Sequence, residues 1–368
     1  MMKTIKLLSI ATVSIMLTVL LVSVVSVSAD VPPDGQAIQT ATFPVADGYL
    51  LRFDTTISQF NVITMPIVTG KSRRPESVVA VGGDIWYTDP GTDRIGRLVY
   101  TDATHYAFSE VQLPTGSAPF DMVADGGYLW FTAKSGDWVG RLEISTTAVV
   151  SFPLTAGSAP WRIDVSADGG VWFTERAANK LGHLVVTDTT HYALTEYNIP
   201  ESDSQPEGIA VGGTKVWFGE TVPAGDTKVI EFNTLQLPPD DFKTISSIPG
   251  NGYPANLMYD GTDLWATELL GNNLSWVKTS TLGSIFQYPV PTAAAQPYNL
   301  VSGGENIWFT ERTGQKMGRF FIAHGQFFEY SIPLTPSVWL TGIVMDGMGN
   351  VWAAGFEIQQ VFLPLVLR

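Results

Sequence analysis

Five carboxylates in this sequence share one local setting. Asp89, Glu175, Glu220, Glu268 and Glu311 each stand three residues after a tryptophan, in "WYTD", "WFTE", "WFGE", "WATE" and "WFTE". Two chemistries suit such a set. Carboxylates crowded together have raised pKa values and act as general bases, a role that falls to Glu175 or Glu311, with Tyr298 as the proton donor. Several around one opening also attract hard cations that prefer oxygen ligands, so Glu175, Glu220, Glu268 and Glu311 are candidate ligands for Mg²⁺ or Ca²⁺. The plain alternative is that each carboxylate caps the end of a strand and accepts hydrogen bonds from the loop beyond it.

The choice rests on the elements that carry them. Trp86, Trp130, Trp172, Trp217, Trp265, Trp308 and Trp352 are separated by 44, 42, 45, 48, 43 and 44 residues. A period in this range marks a repeat architecture. Eleven or twelve residues before each Trp stands Pro75, Pro119, Pro160, Pro206, Pro254, Pro297 or, in the last unit, Leu340. Each unit resolves into four short strands: in the third, "WRIDVSA", "VWFTE", "KLGHLVV" and "YALTEYNIP", with Gly-rich turns such as "ADGG" and "SGGE" at matching places. Seven four-stranded modules make an all-β, seven-bladed β-propeller. The last unit lacks a clear outer pair, whereas residues 43–66 match the outer half of a blade. Those residues are expected to complete the seventh blade, sewing both ends of the chain into one sheet and leaving no open edge. Whether "QQVFLP" competes for the third-strand place stays open at this point.

In such a blade the loop entering strand one and the loop leaving strand two lie on the same face. The residues after the prolines, Glu76, Phe120, Trp161, Glu207, Ala255, Tyr298 and Thr341, are therefore expected at the channel mouth together with the "WFTE" glutamates. Glu76, Phe120, Trp161, Glu207, Tyr298 and Trp339 are the candidate ligand-binding residues. Rings beside carboxylates suit sugar faces or cationic groups, and the same rings are also fit to plug the channel as core.

Composition limits the partners. Hydrophobic residues at 45% and aromatics at 11% supply a packed core, and 35 Gly with 23 Pro fit many short turns. Lys3 and Lys6 precede an apolar run ending in Val27-Ser28-Ala29, the form of a cleavable secretory leader over residues 1–29, which leaves residues 30–368 as one propeller domain. The uncleaved alternative is a membrane anchor. With its 21 basic residues reduced by Lys3 and Lys6, the mature chain sets 19 against 35 acidic ones, a net charge of −16. Nucleic acid and anionic membrane surfaces are poor partners for that charge. There is no cysteine, so stability rests on burial and strand pairing. The expectation is a secreted or cell-envelope monomer, with no membrane span once the leader is removed. The ending "FLPLVLR" reads as a last strand or frayed end, or else as a targeting tag.

The blade pattern P-x-x-I, WFTE, N-K-x-G-R-L resembles that of the virginiamycin B lyase (streptogramin lyase) family of seven-bladed propellers. "PWRIDVSADGGVWFTERAANKLGHL" and "PYNLVSGGENIWFTERTGQKMGRF" carry the resemblance best, and it spans nearly all of residues 43–361. The resemblance implies linearisation of a cyclic depsipeptide by elimination, with magnesium, histidines at the position after the proline and a glutamate of "WFTE". Here five of seven blades keep the carboxylate, and none keeps the histidine. Elimination needs a base with a pKa near the working pH, and imidazole supplies it most readily. His105, His191 and His324 fall at turns on the opposite face and His183 falls within a strand. The sequence therefore favours an exported binding propeller for a peptide, glycan, other small molecule or cation at an acidic, aromatic mouth. The alternative is a divergent lyase performing metal-assisted elimination on a cyclic ester or depsipeptide.

Overall fold

The computed structural model describes residues 48–188, 191–221, 227–236, 241–250, 252–281, 283–334 and 337–358. The expected leader, residues 43–47 and the "FLPLVLR" ending lie outside them.

Seven buried clusters carry the architecture, and each joins two neighbouring blades. Trp86 of the first blade packs with Phe131 of the second, Trp130 with Phe173, Trp172 with Phe218, and Trp265 with Phe309. Trp217 meets Ala266 of the fifth blade and Trp308 meets Ala353 of the seventh. The circle shuts where Trp352 of the seventh blade shares a cluster with Tyr87 of the first. Burying one indole contributes about 4–6 kcal/mol by area, an upper figure.

These clusters sit between seven four-stranded antiparallel sheets. Six follow chain order, as in the third: Pro160–Val165, Val171–Glu175, Lys180–Val186 and Tyr192–Asn198. The seventh is made from both ends of the described chain. Its order is Gln59–Thr64, Gly48–Asp54, Val351–Glu357, Val338–Met345, with Leu50 between Ile63 and Ala354 in register. Gly48–Asp54 thus fills the third-strand place that the sequence left open.

Three letters of the recurrent motif now have physical reasons. The Trp faces the next blade. The aromatic after it faces the previous blade and lies on a glycine of strand three: Tyr87 is in register with Gly96, Phe131 with Gly140, Phe173 with Gly182 and Phe309 with Gly318. A Cβ at any of these glycines would meet ring carbon within 2.0–2.2 Å, so no side chain fits. The threonine joins blades. Its hydroxyl donates to the carbonyl of the residue after the next blade's proline: Thr88 to Phe120, Thr132 to Trp161, Thr174 to Glu207, Thr267 to Tyr298 and Thr310 to Thr341, each at 2.8–3.0 Å. Thr341 donates to Pro75 O at 2.7 Å and completes the turn around the axis. The fourth and seventh blades depart: Gly219 lies against Pro254 in the one, and Ala354 holds the threonine's place in the other.

Candidate functional site

The threonine ring fixes the backbone of the residues expected at the mouth, and a strained corner aims them. The residue before the proline is left-handed in five blades: Ala118 (φ 47°), Ala159 (46°), Gln205 (43°), Tyr253 (59°) and Gln296 (54°). Proline ordinarily drives its predecessor to extended backbone, and such conformations cost about 1–3 kcal/mol each. The corner is held because its carbonyl accepts an amide hydrogen from the loop leaving strand two: Lys134 N to Ala118 O (3.2 Å), Arg176 N to Ala159 O (3.3 Å), Leu269 N to Tyr253 O (2.9 Å) and Arg312 N to Gln296 O (3.0 Å). Directly after the corner the ladder slips, between Pro119 and Met122, Pro160 and Ile163, Pro254 and Asn256, Pro297 and Leu300, and Leu340 and Ile343. A bulge of this kind turns side chains out of the sheet.

They turn to the axis. The hydroxyl of Tyr298, in the sixth blade, donates to Glu76 Oε1 in the first. Phe120 and Trp161 meet at a tilt of 39°, with centroids 4.2 Å apart. Tyr253 donates to Glu207 Oε1, which also pairs with Arg176 Nε. The guanidinium of Arg312 lies 4.6 Å from the ring centroids of both Tyr298 and Trp339. The structure therefore brings Glu76, Phe120, Trp161, Glu207, Tyr298 and Trp339 to one mouth. Phe120 and Tyr298 are buried in its floor, whereas Trp161 and Trp339 are half-buried at its rim.

The "WFTE" glutamates do not join them. Side chains alternate along a strand, so the glutamate shares the face of the aromatic two residues before it and turns into its own blade. Glu268 accepts from Ser275 Oγ, Asn273 Nδ2 and Gln287 Nε2, all in the fifth blade. Glu220 accepts from Ser204 Oγ at 2.8 Å and borders a cavity lined by Ile199, Lys228 and Phe242, away from the axis. Glu175 lies beside Ser158, Lys180 and Glu196, and Glu311 beside Glu329, Lys316 and Thr292. Both are fully buried with no hydrogen bond of regular geometry to either oxygen. Burial, and next the charge of a neighbouring glutamate, push Glu175 up to about 7 and Glu311 up to about 8. Asp89, at the same position, is instead tied to Arg73 Nη1, Arg74 N and Thr92 Oγ1. These placements correct the picture of four glutamates gathered at the opening. They also bear on magnesium or calcium: the four proposed ligands sit in four separate blades, and among the described residues no three His, Asp or Glu side chains are placed to hold an ion. The set does not fit a metal, and Tyr298 is engaged with Glu76 rather than Glu311.

What reaches the mouth from strand two is the residue after the carboxylate position. Lys134 lies 4.0 Å from the Trp161 centroid and 4.8 Å from that of Phe120, Arg176 lies 5.0 Å from Trp161, and Arg312 joins Tyr298 to Trp339. Burial lowers the Lys134 pKa. A fourth cation, Arg162, occupies the floor, 5.5 Å from Phe120 and 5.0 Å from Tyr298. The mouth expected to be acidic is thus mixed, with Lys134, Arg162, Arg176 and Arg312 against Glu76, Asp121 and Glu207. Burial raises the pKa of Glu207 despite Arg176, and burial with the Glu76 charge raises that of Tyr298, keeping its phenol a donor. The sequence signal for the rim cations was present as "TAK", "TER" and "TER" in the second, third and sixth blades. None of the four histidines is in the mouth: His105 and His191 lie in exposed turns beside Asp102 and Asp188, His183 stacks on Trp172 at 3.9 Å, and His324 ends the short helix Ile322–His324.

Residues 55–232 match the virginiamycin B lyase family. Among solved structures, the virginiamycin B lyase of Staphylococcus aureus is similar over 76% of this chain and 94% of its own, at 23% identity and a TM-score of 0.65. A catalytically inactive form of the Staphylococcus aureus enzyme with quinupristin is similar over 83% and 99%, at 21% identity and 0.67. The WD40 propeller domain of Doa1 is similar over 85% and 98%, at 12% identity and 0.59. No curated protein matches the sequence. At these identities the solved structures establish the propeller fold. Among the described residues no helix is long and apolar enough to cross a membrane.

Proposed function

Starting from a seven-bladed propeller related to virginiamycin B lyase, we propose that this chain is an exported binding protein without catalytic turnover, and that its axial mouth holds a glycan. The observation that carries the reading is the pair of half-buried indoles, Trp161 and Trp339, each backed by a cation and set above a ring floor. Flat apolar faces flanked by forked donors suit a sugar, which offers C–H faces and hydroxyls together. Arg176, Gln205 and Tyr253, joined around Glu207, supply the donors and acceptors on one side. A cationic ligand is disfavoured by the four basic groups. Export is supported by the leader form of residues 1–29. Calorimetric titration of the protein with a panel of neutral and acidic oligosaccharides tests the reading: saturable binding lost in Trp161→Ala is expected, and silence across the panel sinks it.

One observation favours a second reading. The carboxyl of Glu311, raised to about 8, has the pKa of a general base, as elimination on a cyclic ester or depsipeptide requires. Against it stand the inward turn of Glu311, the engagement of Tyr298 and the lack of imidazole. Incubation with a cyclic depsipeptide followed by mass analysis decides: an opened product bearing a new double bond, lost in Glu311→Ala, would replace the binding reading by the lyase one.

A further inference from the structure

Beneath the mouth lies a second ring of side chains, one residue deeper on each inner strand: Ser77, Asp121, Arg162, Gly208, Asn256, Asn299 and Gly342. Six of these are small, amide or acidic. Arg162 is the exception, and its guanidinium touches the rings of both the second and the sixth blade, which places it at the axis. Its side chain has no exposure, yet none of Nε, Nη1 and Nη2 has a hydrogen-bond partner among the described residues. The nearest carboxylate oxygen, Asp121 Oδ1, is 3.5 Å from Nη1. That ion pair is long, and the other Asp121 oxygen, Oδ2, accepts from Ile163 N. Neighbouring carboxylates are spoken for as well, Glu76 by Tyr298 and Glu207 by Arg176 and Tyr253. A buried guanidinium is ordinarily forked onto a carboxylate or phosphate, since orphaned buried donors are costly.

Resting on the reading of the mouth as a glycan site, we infer that the ligand is an acidic sugar, a uronate, whose carboxylate accepts from Arg162 at the axis while its ring lies against Trp161 or Trp339. Charge agrees: Lys134, Arg162, Arg176 and Arg312 outnumber Glu76, Asp121 and Glu207 by one, so the mouth favours an anionic ligand over a cationic one. The position also explains why the floor is aromatic. Phe120 and Tyr298 flank the guanidinium and keep water from its faces.

The test compares three probes on the purified protein by calorimetry: trigalacturonate, its uncharged counterpart galactotriose, and acetate as the bare carboxylate. Trigalacturonate is expected to bind at least about tenfold more tightly than galactotriose. Arg162→Lys, which keeps the charge and loses the fork, should narrow that gap to less than about threefold. The comparison on the unmodified protein needs no variant, so misfolding of Arg162→Lys leaves the test intact. Equal binding of the two trimers overturns the uronate inference while preserving the glycan mouth. Acetate binding as strongly as trigalacturonate shows an anion hole with no sugar site and overturns it too. Absence of binding by every sugar removes both readings.

Discussion

Tyr298 and Glu76 are 222 positions apart in the chain, and the phenol of one donates to the carboxylate of the other across the propeller axis. The bond ties the sixth blade to the first at the floor of the mouth, where both residues are buried. Tyr298→Phe keeps the ring that Arg162 and Arg312 face, and removes only the donor. It leaves a buried carboxylate oxygen short of a partner and is expected to destabilise the protein by about 1–3 kcal/mol. The urea midpoint measures this, and an unchanged midpoint would show that the two blades are not joined there.

Glu175 and Glu311 make stability depend on pH in an unusual direction. Their folded values of about 7 and about 8 lie above the ordinary 4.5, so the folded state holds protons that the unfolded chain has already released. Their contribution is complete below pH 4.5 and is lost as the pH rises through 7 to 8. A fall on the order of 2–4 kcal/mol between pH 5 and 8.5 is expected from the pair. Glu311→Gln should flatten the upper part of the profile. Equal urea midpoints at the two pH values for the unmodified protein would mean that these carboxyls are satisfied.

Gly182 tests the reason for the motif's glycine. A methyl group there would sit about 2.2 Å from the ring of Phe173, which is fully buried and cannot retreat. Gly182→Ala is expected to cost at least about 2 kcal/mol, by overpacking. Pairing it with Phe173→Leu should recover part of the loss. A double variant no better than the sum of the two single ones would refute the ring-on-glycine account.

At the rim, Trp161→Ala removes the face on which Lys134 and Arg176 rest. Glycan affinity should fall at least about tenfold while the melting temperature moves by only a few degrees, since Trp161 is half-buried. Calorimetry beside thermal unfolding separates the two effects. Loss of fold together with affinity would assign Trp161 to the core instead.

The propeller was legible because its strongest signal is periodic. Seven tryptophans at nearly constant spacing mark the blades, and the unmatched half-blade at residues 43–66 points to the closure, which Leu50 between Ile63 and Ala354 realises. The mouth was legible from the position after the proline, where Phe120, Trp161 and Tyr298 stand. The "WFTE" glutamates recur without converging, and the strand-end alternative describes Asp89, Glu220 and Glu268. Alternation along the strand puts Glu175 on the side of Phe173, inside the blade, and passes the mouth to Arg176. Arg162 escaped the sequence reading, because its lack of a hydrogen-bonded acceptor depends on which side chains meet across several blades, and no local pattern encodes that. The left-handed corners before the prolines were equally hidden, because proline argues for the opposite conformation.

Since Gly48–Asp54 is bonded to Val351–Glu357, the seventh sheet waits for almost the whole polypeptide. A ribosome releases the first two strands about three hundred residues before their mates, and meanwhile they travel with naked edges that invite pairing with other chains. Translation halted before Val351 would yield six stacked sheets and an orphan hairpin. Such a fragment has an open ring, so closure of the circle and the shape of its mouth hang on one event, the arrival of the last strand.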